Sequence, residues 1–98
     1  MTPAAALVEQ ALAALGAGDL DTAETACRQA LAIDAQQADA LHIAGHVAGQ
    51  RGQREQAIAL VEQAIALVPN HPQYRYNLAV SLGQAGRDNE AALHYHDH

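Results

Sequence analysis

His42 and His46 lie four residues apart, with Asp39 three residues before them. On a helix that spacing puts all three on one face. Two imidazoles and a carboxylate are donors that can hold zinc or nickel if the set is completed. Two histidines alone are a weak signal. The simpler reading is a polar pair that hydrogen-bonds a peptide or water. Protonation of the pair near pH 6 would change the charge of the surface that carries it. His94, His96 and His98 crowd the end of the chain with Asp97. The reading there is a solvated terminus, with an adventitious metal site or a dimer contact as alternatives. No metal and no cofactor is expected.

The remaining reactive side chains offer less. Cys27 is the only cysteine, so no internal disulfide can form. No histidine neighbours it in sequence, and thiol catalysis would need a base and an orienting group. It reads as a small buried hydrophobe. Ser81 is the only serine and lacks the context of a nucleophile elbow. The glycines are spread along the chain rather than gathered into a phosphate-binding loop. An enzyme is not expected.

The elements that must carry these residues repeat. Gly18, Gly52 and Gly86 stand 34 residues apart, as do Ala23, Ala57 and Ala91, and Ala30 and Ala64. A fixed period of this length marks one small unit stacked on copies of itself. Apolar residues recur at helical spacing throughout, predicting six helices near 3–16, 20–33, 38–50, 54–68, 72–85 and 88–97. Thr2 is suited to cap the first helix, with Pro3 in its first turn. The periodic glycines fall where the first helix of each pair ends, and glycine turns left-handed there without a Cβ penalty. Asp19 can cap the second helix. Pro69 should stop the fourth and Pro72 should start the fifth, with Asn70 and His71 as turn residues. Short linkers keep consecutive helices antiparallel and adjacent.

Composition agrees. Of 98 residues, 50% are hydrophobic, yet Phe and Trp are absent. Alanine supplies much of that fraction and suits closely packed helices better than strands. The net charge is −6, and all five basic residues are arginines. No basic stripe exists for nucleic acid, and an acidic surface disfavours anionic membranes. No apolar run approaches the roughly 20 residues of a membrane span. The first residues lack the basic start of a signal peptide. The expected location is cytoplasmic.

The middle unit, ADALHIAGHVAGQRGQREQAIALVEQAIALVPN, resembles a tetratricopeptide repeat over its full length. Leu41, Ala44-Gly45 and Ala48 fill the slots of the first helix, and Ala57, Val61, Ala64 and Pro69 those of the second. The first unit keeps most slots but has Gln10 and Ala35 where Leu and Pro are usual. The third has Arg75 in the large apolar slot and stops at His98 inside its second helix. The implied fold is all-α: a solenoid of three antiparallel helix-turn-helix repeats, about 4–37, 38–71 and 72–98, in a right-handed superhelix with the last repeat incomplete. The chain is expected to be one domain over 1–98.

The resemblance implies a concave face lined by the first helix of each pair, where such arrays hold peptides. It would carry Val8, Glu9 and Leu12, then Asp39, His42, Ile43 and His46, then Gln73, Tyr76, Asn77 and Val80. The contacts expected are His42, His46, Tyr76 and Asn77, with Ile43 and Val80 as apolar floor; Tyr76 could instead only pack on His42. Positions where relatives grip chaperone carboxylates with cations and asparagines read Val8, Leu12, Ile43, Gln73 and Asn77. The expected partner is therefore a neutral to basic protein or peptide segment rather than an acidic one. The uncovered third unit suggests a longer array or larger protein, or a homodimer through that end. Alternatives to a peptide-binding module are a recruiting arm of a larger enzyme, such as a glycosyltransferase or sulfotransferase, and a self-assembling scaffold.

Overall fold

The computed structural model describes residues 3–84. Over that span the chain is all helix and turn: α1 Pro3–Gly16, α2 Leu20–Ile33, α3 Ala38–Gln50, α4 Arg54–Leu67 and α5 Pro72–Gln84. Thr2, the Gly86 turn, the expected sixth helix at 88–97 and the C-terminal histidines lie outside the described residues.

The turns inside the two hairpins are copies. Gly18 has φ 78° and Gly52 φ 80°. The amide of Asp19 donates to the Ala14 carbonyl at 2.9 Å, and Gln53 to Ala48 at 2.9 Å, one repeat later. These bonds satisfy carbonyls that the helix ends would otherwise leave open. The next helix starts differently in each unit. Asp19 caps α2, accepting from the Thr22 amide at 3.1 Å and from its hydroxyl at 2.6 Å. Those bonds hold the Asp19 carboxyl below its usual pKa. Gln53 precedes α4 without a side-chain cap.

α4 ends at Leu67, one residue short of the expected Val68. Val68 sits at φ −133°, ψ 80°. It precedes Pro69, whose ring disfavours helical geometry in the residue before it.

α1 packs against α2 and α3 against α4, while α2 lies on α3 and α4 on α5. Along the inner side α1 touches α3, and α3 touches α5. The core runs through these layers without a break. Val8, Ala11, Cys27, Ala30, Ala40 and Ile43 form one cluster, and Ile58, Val61, Leu78, Ala79 and Leu82 another. Ala23, Ala30, Ala57 and Ala64 are fully buried, so each marks a close approach between helices. The tightest is at Gly45. A Cβ there would come within 2.7 Å of Val61 Cγ2 and 3.2 Å of the Ala57 carbonyl oxygen. Cys27 is buried in the cluster with Val8 and Ile43, and burial, with the Glu24 charge, pushes its thiol up to about 11. It is protonated at neutral pH and packs as a hydrophobe.

Candidate functional site

The inner face of α1, α3 and α5 carries two neighbouring cavities. The first, about 260 Å³, opens between α3 and α5. Gly45, Gly49 and Val61 line it from the second unit, with His46 and Gln50 beside them. Tyr76, Asn77, Val80 and Ser81 line it from α5. The second cavity, about 190 Å³, lies nearer the helix starts, among Leu12, Asp39, His42, Ile43, His71 and Tyr74, with Gln73 beside them. Among the described residues no arginine lines either one.

A bridge between α3 and α5 separates them. The Asn77 amide nitrogen pairs with His42 Nε2. In this pairing the amide donates to an unprotonated ring nitrogen. Beside it the Tyr74 ring is sandwiched: His42 lies 4.7 Å away, tilted by 33°, and His71 is stacked at 3.8 Å and 4°. The Tyr74 hydroxyl donates to Asp39 Oδ1. Burial and the Asp39 carboxylate both push the Tyr74 phenol up, so it stays a donor. His71 Nδ1 is buried with no hydrogen-bond partner among the described residues.

The six expected contact residues do not share one environment. His46, Tyr76, Asn77 and Val80 meet around the first cavity, and Tyr76 is 54% exposed. His42 and Ile43 line the second. Ile43 is 2% exposed and belongs to the core more than to the surface. Val8 is buried in that same cluster and lines neither cavity. Tyr74 packs on His42.

The histidine pair is turned to other partners. His46 Nε2 lies 2.6 Å from the Gln50 amide nitrogen, while His42 Nε2 faces Asn77. Among the described residues no group of three or more His, Cys, Asp or Glu is arranged to hold a metal.

Sequence reasoning assigned no role here to Tyr74, His71, Gly49 or Ser81. A tyrosine two residues from another gives no sign of which one turns inward. For Gly49 and Ser81 a signal existed: the preceding unit has Leu15 and Val47 in those places.

Burial holds the His42 pKa below its usual value. Asp39 opposes that shift, and His46 and His71 add to it. The folded state therefore prefers neutral His42, and the unfolded chain binds the proton more readily. Stability from this group is complete above the unfolded value of about 6.5 and is lost as pH falls through the folded one. Thermal midpoints should be flat from pH 8 to 7 and decline toward pH 5. His42→Gln should shallow that decline; an identical decline in the variant would show that His42 is not its source.

The family of the anaphase-promoting complex, cyclosome, subunit 3 matches residues 16–98. The TPR repeat-containing thioredoxin TTL4 of Arabidopsis thaliana is 44% identical over 48 residues, which are 49% of this chain and 7% of that protein. A mutant O-GlcNAc transferase of Thermobaculum terrenum superposes with a TM-score of 0.93 at 32% identity, covering 98% of this chain and 19% of that one. A crystal structure of MamA superposes at 0.85 with 23% identity, covering 96% of this chain and 51% of that one. At that identity the MamA comparison speaks for the fold alone. The chain spans only 7% of the thioredoxin's length and about half or less of the two solved chains. The family match over most of the chain, the repeated Gly18 and Gly52 turns and the stacked hairpins lead to one assignment: this chain belongs to the tetratricopeptide-repeat family.

Proposed function

We propose that this chain is a non-catalytic, cytoplasmic interaction module that binds a segment of a partner protein along the inner face of α1, α3 and α5. The observation that carries the reading is the pair of adjacent side-chain-sized cavities on that face, joined across the His42–Asn77 bridge. Sites for drug-sized ligands are usually about 300–1,000 Å³. Cavities below that range suit successive side chains of a peptide better than one small molecule. The Asp39 carboxylate on the wall of the second cavity favours a neutral to basic segment. His42, His46, Tyr76 and Asn77 are the proposed contacts, with Ile43 and Val80 as apolar floor. Tyr76 is the strongest anchor, since an exposed tyrosine contributes large area at small entropic cost.

A display library of random peptides, selected on the immobilised chain, supplies ligands for the test. Tyr76→Ala and His42→Ala should each weaken the selected peptides by about tenfold or more. Full affinity retained in both variants would reject this face as the binding surface.

The O-GlcNAc transferase comparison favours a second reading. Its match covers nearly all of this chain but 19% of that enzyme, as expected of a recruiting arm attached to a catalytic unit. A stop codon directly after His98 in the gene would exclude such an attachment.

A further inference from the structure

The two described junctions between successive units are lined differently around Leu15 and its counterpart. In the first, Leu15 of α1 packs against clusters that contain Ala11, Cys27, Ile43 and Val47. All four are almost completely buried, and Leu15 fills the space among them. One repeat step later the same five places are Gly49, Gly45, Val61, Asn77 and Ser81. All five line the 260 Å³ cavity between α3 and α5. The junction has lost its leucine, and the core pair Ile43 and Val47 has become an amide and a hydroxyl. An array that needed only to stack its units would keep the filler, because unfilled apolar space destabilises a fold.

We infer that this cavity is an anchor subsite for a leucine-sized aliphatic side chain of the bound peptide segment. The first junction is the template: it shows which side chain this geometry accepts when the array supplies its own. Val61 and Val80 give the guest an apolar lining. Ser81 and Asn77 place a hydroxyl and an amide on the wall, where the peptide backbone at the anchor can hydrogen-bond. Tyr76 and His46 stand at the side, and Gly49 on the wall offers no side chain in the segment's way. The inference rests on the proposed binding face and adds the chemistry of its anchor.

The test uses the full chain, isotope-labelled, and N-acetyl-leucine methylamide as probe, followed in amide NMR spectra. Shifts should concentrate at Gly49, Val61 and Ser81, and N-acetyl-glycine methylamide should not produce them. Gly49→Leu puts back the first junction's filler and Ser81→Phe fills the same space from α5, and each should abolish the shifts. Gly49→Leu also removes a glycine from a helix, so its thermal midpoint should rise while binding falls. If that variant does not fold, Ser81→Phe carries the test. Library-selected peptides should contain Leu, Ile or Met and lose about tenfold or more in affinity to Gly49→Leu. No shifts with the leucine probe in the native chain would overturn the anchor. So would selected peptides that bind Gly49→Leu at full strength; if those peptides still weaken with Tyr76→Ala, the binding face survives and only the subsite fails. A dimer of the native chain that Gly49→Leu dissociates would also overturn it, since the occupant would be a second copy.

Discussion

Tyr74→Ala is expected to destabilise the chain by about 3–5 kcal/mol, the range for truncating a large buried aromatic. Tyr74 is 2% exposed and is among the largest fully enclosed side chains described. It packs with Ala38, Leu41 and Ala64, so one ring ties α5 to both α3 and α4. Its removal also strips His71 and His42 of their stacking partner and Asp39 of a hydrogen bond. Small domains are stable by about 5–15 kcal/mol in total, so this loss is a large share. In an array whose units touch only their neighbours, the damage should stay local. Hydrogen exchange should rise steeply in α5 while α1 and α2 keep their protection. Tyr74→Phe keeps the ring and loses only the bond to Asp39, an exposed carboxylate, for a cost of about 1 kcal/mol. Equal losses in the two variants, read from urea unfolding, would mean that the hydroxyl and not the ring holds α5.

Gly45→Leu should cost about 3 kcal/mol, and this loss should fall on the α3–α4 hairpin. The first atom of any side chain at residue 45 would meet Val61 Cγ2 at 2.7 Å and the Ala57 backbone oxygen at 3.2 Å. Val61 is 1% exposed and β-branched, so it has little freedom to turn away. The carbonyl can move only if α4 moves. Gly45→Ala imposes the same first contact without further atoms, and the helix propensity of alanine returns about 1 kcal/mol. Its net cost should therefore be the smaller, about 1–2 kcal/mol. Thermal unfolding followed by circular dichroism separates the pair. A Gly45→Leu variant as stable as the native chain would show that α3 and α4 do not approach as closely as described. Gly49→Leu, four residues along the same helix and on the cavity wall, carries the opposite expectation.

Much of the architecture was legible before any coordinates. The step between Gly18 and Gly52 located two left-handed turns, and Asp19 was identifiable as a cap. Ala23, Ala30, Ala57 and Ala64 read as repeat positions and are fully buried. These signals are local or strictly periodic. A turn needs φ above zero, a cap needs an acceptor, and a close crossing needs a small residue, wherever the chain goes next. The helix end at Leu67 was missed by one residue, although Pro69 already disfavoured a helical Val68.

The inner face was less legible. Its expected residues came from the family resemblance, and His46, Tyr76, Asn77 and Val80 meet around one cavity. Which tyrosine turns inward did not follow. Tyr74 and Tyr76 are alike in type and two residues apart, and the choice depends on how α5 is rotated where it packs on α4. The partnership of His42 with Asn77 spans 35 residues, one more than the period, and no count within a single unit shows it.

The sequence by itself determined the all-α class, the repeat, the positions of the described helices and the close-packed alanines, because each follows from backbone geometry and side-chain size within a few residues. Only the tertiary structure decided which of the polar residues became partners and where space was left. His42 turns to Asn77, Tyr74 packs against two histidines, and the place that Leu15 fills in one junction stands open at Gly49 in the next. Those outcomes depend on how neighbouring units are set against each other. That setting comes from the sum of many weak packing contacts between helices, not from any one residue's preference.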